Sequence, residues 1–186
     1  YVAELYERVG DVAKGAALMT GTKVSYRTVS AYAELLSVPA MEALMMEAMQ
    51  EAEKPEYTDD DYEYAARFAA DQASPSIDTA ILPADQTINL GSTDVGDVSW
   101  QVPTGLIGVT TEAAGCALHT WQIVAQGKSP LAHKGMHYAA RILFAAAKKL
   151  YESPERCALI QDDYQHVIGH RTYQSMLPDS VKPGDF

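Results

Sequence analysis

The first thirty-two residues set the expected fold class. Val2, Leu5, Val9, Val12 and Ala16 recur at intervals of three and four, so residues 1 to about 19 read as an amphipathic helix. Thr20-Gly21-Thr22 stops it, and Gly21 suits the left-handed conformation that ends many helices. Lys23–Tyr32 then alternates and is rich in Val, Tyr and Thr, which predicts a strand. Helix, glycine turn and strand make half of a small α/β sandwich. The strand that should precede the helix is not in this chain, which opens in helical pattern as if cut from something longer.

The 186 residues suffice for one domain, or for a small domain and a piece of another. An apolar fraction of 47% with 21% charged residues is that of a soluble globular protein. The formal net charge is −11 and Lys and Arg form no cluster. A nucleic-acid phosphate track and an anionic membrane surface are therefore poor partners. Cys116 and Cys157 have no metal-type spacing and make no disulfide framework, so a reducing, cytoplasmic setting is expected. No apolar run approaches the roughly 20 residues that span a bilayer.

Further along, Pro39 starts a second helix with Met41, Leu44, Met45, Ala48 and Ala52 as its apolar stripe. Its methionines read as core filling in preference to a plastic binding face. Thr58 with Asp61 three residues on predicts a capping box. The helix it opens, to about Ala73, turns Tyr62, Ala65, Phe68 and Ala69 inward. Asp59, Asp60 and Asp61 fall in its first turn as solvated capping charges, and the Gly and oxygens of a calcium loop are missing. Residues 74–104 are loop-rich, and a stretch of that length in a compact domain is usually functional. Leu106–Thr111 and Cys116–Val124 read as short buried strands. A long helix, His133–Glu152, follows Ser129-Pro130, with Met136, Ala140, Leu143, Ala147 and Leu150 on one face. Ser153-Pro154 ends it. The tail after Pro178 is expected to cross the surface.

The candidate chemistry lies between residues 91 and 137. Asp94 and Asp97 sit in a loop with Gly91, Ser92 and Gly96, where glycine lets a backbone approach a ligand closely. A carboxylate there can orient a metal-bound histidine or accept a proton, and can equally cap its own loop as an Asx turn. His119, flanked by Leu118 and Trp121, is either a metal ligand or a satisfied structural histidine. His133 and His137 share a helix face, but the Lys-Gly-Met between them offers no Glu in the zincin general-base position. His133 also falls near a helix start, where an anion can meet free N–H groups. Cys116 lacks the base and oxyanion hole of a thiol nucleophile and reads as structural. No phosphate loop, dinucleotide fingerprint or nucleophile elbow is present.

Three runs carry a resemblance: Gly91–Thr104 (GSTDVGDVSWQVPT), Leu118–Arg141 (LHTWQIVAQGKSPLAHKGMHYAAR) and the tail from Tyr173 (YQSMLPDSVKP). In that order they resemble the C-terminal part of the B-type subunits of the aminobenzoyl-glutamate utilization proteins. That group belongs to the dinuclear-metal amidohydrolases and peptidases, with carboxypeptidase G and the indole-acetyl-amino-acid hydrolases. The opening helix, ending GAALMTGTKV, resembles the second half of that family's inserted lid. The resemblance implies an α/β fold: the closing part of a mixed-sheet metallopeptidase-type catalytic domain in residues 34–186, preceded in 1–33 by the C-terminal half of a ferredoxin-like lid or dimerisation domain. It implies His119 as the family's last metal ligand, with Asp94, Ser92 and His133 on the substrate side or behind the ligands. Ala117-Leu118 stand where the family tends to show Pro-Gly. The other ligands, the bridging carboxylate and the catalytic Glu lie upstream in the family.

The resemblance further implies a fragment of an amidohydrolase that cleaves the amide of an N-acyl or aminobenzoyl amino acid. The intact enzyme would hold two divalent metal ions, zinc or manganese, and form a homo-oligomer through the lid. This chain alone would bind no metal tightly and would be inactive. The alternative is a non-catalytic association module that complements a separate chain carrying the missing half. A third reading is a small-molecule binder built on the 74–104 loop with Asp94, Trp100 and Trp121.

Overall fold

A computed structural model describes residues 1–69, 75–83, 91–182 and 184. The described residues contain seven helices: α1 (Val2–Thr20), α2 (Pro39–Glu51), α3 (Asp59–Ala66), α4 (Val95–Ser99), α5 (Trp121–Gln126), α6 (Pro130–Glu152) and α7 (Pro154–Ile168). They contain no strand, so the expected α/β mixed sheet and the half ferredoxin-like lid are corrected to an all-helical architecture. Alternation shows that a segment can lay one side on an apolar surface. A strand also needs a neighbouring backbone to close its ladder, and the three segments expected as strands find none among the described residues. Lys23–Tyr32 instead packs through side chains. Leu106–Thr111 is tied by the Thr110 hydroxyl donating to the Asp78 carbonyl. Cys116–Val124 is a turn followed by α5.

The chain divides into two units. One takes the described residues of 1–36, 90–102 and 170–186; the other takes those of 37–89 and 103–169. In the first, Gly21 ends α1 in the left-handed conformation (φ 65°, ψ 23°), and its own N–H and that of Thr22 return to Leu18 and Ala17. The segment after it crosses α1 at Gly10, the helix's buried residue. A Cβ at Gly10 would lie 2.8 Å from the Tyr26 hydroxyl. Tyr6 meets Tyr26 edge to face at 6.0 Å and shares a 2.6 Å hydrogen bond with Thr28. The expected stripe of α1 is not the buried one: Val2, Val9 and Val12 are exposed, Val12 by 72%.

In the second unit α6 packs against α2, α3 and α7. Met41, Leu44, Met45 and Ala48 of α2 are buried, as their spacing predicts. Ala65, Ile77, Ala113 and Leu131 form a core, with Tyr57, Tyr62, Phe68 and Ala69 packed on it. Helix α3 ends at Ala66, short of the expected Ala73, because Arg67 and Phe68 turn out of it; residues 70–73 lie outside the described residues. On α6 the buried face is Leu131, Ala132, Gly135, Ile142 and Ala146, whereas Met136 and Leu143 of the expected stripe are exposed. The reason is close approach. A Cβ on Gly135 would lie 2.1 Å from the Thr110 carbonyl oxygen, so the face that carries Gly135, with Leu131 and Ile142, is the one turned inward. Ser153 closes α6 and its side chain caps α7, accepting from the Arg156 N–H.

Two ion-paired sites tie these helices. Glu47 of α2 receives Lys149 of α6 at 2.8 Å and Arg156 of α7. Those hydrogen bonds, Arg156 first, hold its carboxyl at about 2. Thr58 and Asp61 form the expected capping box, but Asp61 is not solvated: it is 5% exposed and pairs with Lys134 of α6. Burial pushes the Asp61 carboxyl up, yet Lys134 and the Thr58 N–H and hydroxyl outweigh it and leave it below its ordinary value.

Two outcomes are expected. Gly135→Ala should destabilise the chain by about 1–3 kcal/mol, because the Thr110 carbonyl it meets is backbone; an unchanged urea midpoint would contradict the contact. Glu47 has a folded value of about 2 against an ordinary 4.5, so its contribution is complete above about pH 4.5 and lost as pH falls towards 2. Glu47→Gln should flatten the fall of melting temperature over that acid range, and parallel curves would show that the pairs do not stabilise the fold.

Candidate functional site

The Asp loop belongs to the first unit. Gly96 opens the contact: a Cβ there would lie 2.0 Å from the Ala33 carbonyl oxygen, so no other residue lets α4 meet the 33–36 segment. Asp97 Oδ1 then accepts from the Ala33 N–H at 3.1 Å and from the Tyr173 hydroxyl at 3.0 Å. The buried Ser99 hydroxyl accepts from the Leu36 N–H at 2.9 Å and donates to the Gly96 carbonyl at 2.6 Å. Trp100 Nε1 donates to the Glu34 carbonyl at 3.0 Å, and the Arg171 guanidinium lies 4.8 Å from its ring. Three side chains of the motif thus clip α4, the 33–36 segment and the 171–173 segment together, and Asp97 is structural.

Asp94 differs. It stands at the N-terminus of α4 with no side-chain cap, and the Thr93 hydroxyl accepts from the Val95 N–H in its stead. The Asx turn is therefore absent, and the Asp94 carboxylate is exposed, as is Ser92 two residues before it. Both are presented to solvent and neither is spent on holding the loop.

His119 and His133 belong to the second unit. His119 is exposed and has φ 60°, the left-handed region a non-glycine residue seldom enters. It therefore stands at the tip of a tight turn, not in the expected strand end and not among hydrocarbon side chains. Thr120 follows it, donating its hydroxyl to the Ala117 carbonyl at 2.7 Å. Trp121, 70% exposed, turns its ring edge to Phe68 at 6.4 Å. His133 is exposed in the first turn of α6, where its N–H goes to the Ser129 carbonyl and the Ser129 side chain accepts from the Ala132 N–H. The cap thus takes part of the N-terminal donor set that an anion would use. His137 is exposed one turn on.

Gln126, a residue with no chemical motif around it, holds the His119 turn. It is fully buried. Its Oε1 accepts from the Ala113 N–H at 2.8 Å and its Nε2 donates to the Gln122 carbonyl at 3.1 Å and towards Cys116 Sγ at 3.6 Å. A single amide side chain thus closes both ends of the 113–122 segment. The available signal was a glutamine four residues after Gln122, inside an apolar run before Gly127.

One cavity of the second unit, about 590 Å³, lies against Met45, Met46 and Met49 of α2. Glu42, Asp78 and Glu112 line it, with no Lys, Arg or His, so it is ill suited to an anion. Among the described residues no three His, Cys, Asp or Glu side chains gather as a metal site. His119 can offer one imidazole, but a complete metal centre needs three or four ligands, and the described residues do not make one.

No protein-family model matches the chain, and no solved structure matches it. The chain is 30% identical over 211 residues to the B-type subunit of p-aminobenzoyl-glutamate hydrolase from Escherichia coli (strain K12). The match covers 98% of this chain and spans 44% of that relative's length. The resemblance carried by the Asp loop, the His119 turn and the tail therefore extends along essentially the whole chain, which is a relative of that p-aminobenzoyl-glutamate hydrolase subunit, consistent with the C-terminal portion of such a hydrolase.

Proposed function

We propose that this chain is part of a metal-dependent amidohydrolase that cleaves the amide of an aminobenzoyl-glutamate-like N-acyl amino acid, and that it is inactive without the remaining part. The observation that carries the reading is His119, an exposed imidazole on a turn held by the buried Gln126, in a chain similar to such a hydrolase over 98% of its length. His119 is assigned as one ligand of a centre that, in the intact enzyme, takes two divalent ions, zinc or manganese. When bound, such ions polarise an amide carbonyl and activate water. This chain's own residues hold the imidazole in place, and the described residues gather no second ligand group beside it. Asp94, Ser92 and His133 are assigned to the substrate side, because all three are exposed and none is spent on the fold through its side chain. The free Cys116 and Cys157 fit a reducing, cytoplasmic setting.

Residues 1–33 are assigned to lid or dimerisation, and 34–186 to the catalytic part. The exposed Val2, Val9 and Val12 along α1 support this, since such a face is stable when a partner covers it. They equally favour the second reading, a non-catalytic association module that complements a separate chain.

The purified 186-residue chain, given manganese or zinc, should release no p-aminobenzoate from p-aminobenzoyl-glutamate; steady turnover would contradict the reading. When a polypeptide supplying the unmatched part of the relative is added, hydrolysis should appear, and His119→Ala should abolish it without changing the helical signal. A discrete complex by light scattering that stays inactive would favour the association module. Gln126→Ala should cost about 1–3 kcal/mol by stranding the buried Ala113 N–H, read as a lowered urea midpoint.

A further inference from the structure

A second cavity in the same unit, of about 250 Å³, differs from its neighbour in lining and charge. Tyr57, Tyr62 and Tyr138 supply aromatic surface, Ile81 and Val109 supply aliphatic surface, and Lys54 is the one charged residue of the lining. No carboxylate lines it, in a chain whose net charge is −11. The larger cavity has the opposite character, with three carboxylates and no cation. Lys54 is exposed, so it stands at the mouth, and no carboxylate among the described residues pairs with it.

The walls are fixed before any ligand arrives. Tyr138 donates its hydroxyl to the Met49 carbonyl at 2.9 Å, which ties α6 to α2. Tyr57 and Tyr62 meet edge to face at 6.3 Å and 71°. Both flank the capping box that starts α3, and Asp61 of that box is bound by Lys134. The Lys134 ammonium lies 5.8 Å from the Tyr57 ring centroid, which orients that ring further.

From this lining and charge we propose that the cavity binds a monocyclic aromatic carboxylate, its ring against Tyr57 and Tyr62 and its carboxylate at Lys54. The size permits it, since a dry apolar cavity of about 150 Å³ already accepts benzene. Aromatic walls favour a flat ring through edge-to-face contact beyond simple area burial. The lone ammonium selects an anion over a neutral or cationic isostere of the same shape. The site needs neither His119 nor a metal ion, so it stands apart from the hydrolytic reading. Binding without turnover, and turnover without this binding, are both measurable.

The test is isothermal titration of the 186-residue chain with benzoate, benzamide and benzylamine, alongside Lys54→Met. Lys54 has no side-chain partner among the described residues, so its substitution should leave the helical signal unchanged. Benzoate is expected to bind one to one, ahead of benzamide, with benzylamine weakest. An exposed ion pair sets the scale, so Lys54→Met should weaken benzoate by about two- to fivefold and leave benzamide unchanged. No saturable heat with benzoate, benzylamine binding as well as benzoate, or Lys54→Met binding benzoate like the parent chain would each overturn the proposal.

Discussion

Gly135 is the position on which the larger unit depends. It stands where α6 passes so close to the Thr110 carbonyl that a methyl group would sit 2.1 Å away. That approach sets which face of a 23-residue helix is buried. It also fixes the chain leaving Thr110, which runs through Ala113 to the Gln126 clamp and the turn that carries His119. The smaller unit uses the same device at Gly96, where the Ala33 carbonyl takes the place of a side chain. In both units a missing Cβ brings helix and backbone together, and polar side chains then satisfy the groups left between them.

The electrostatics come from this packing. With α6 against α2, α3 and α7, its lysines reach acids on the neighbouring elements: Lys134 to Asp61 and Lys149 to Glu47. Both acids have carboxyls that fall below their ordinary values. The polar groups presented at Asp94, His119 and His133 are instead solvent-facing. The acids that brace the helices and the residues assigned to chemistry are therefore different, and each set can be altered without touching the other.

Much of this was legible in the sequence, and the failures share one cause. The Gly21 stop, the Pro39 start, the Met41–Ala48 stripe, the Thr58–Asp61 box and the Ser153-Pro154 break are local signals, and each stands where its residues place it. What misled depends on residues distant in sequence. Lys23–Tyr32, Leu106–Thr111 and Cys116–Val124 have strand-like composition, but whether a ladder closes is decided by a neighbour. On α6 the spacing points to Met136, Ala140, Leu143, Ala147 and Leu150, while the close approach at Gly135 turns in the face with Leu131, Ile142 and Ala146. Helix α7 offers only Ile160 and Tyr164 as buried positions, too few for periodicity to reveal. At the candidate site, the motif points to His119 as a candidate, but its left-handed turn and the Gln126 clamp were invisible, since a buried glutamine looks like a surface one until its partners are known.

Backbone NMR of the 186-residue chain tests most directly the claim that helices closing on glycine contacts, with no sheet among the described residues, present His119 on a left-handed turn. The account predicts helical chemical shifts over α1–α7, a positive φ at His119 with a solvent-exchanging ring, and no cross-strand nuclear Overhauser effects from 23–32 or 106–111. Cross-strand effects from either segment, or a His119 ring sequestered among aliphatic protons with extended backbone, would contradict it.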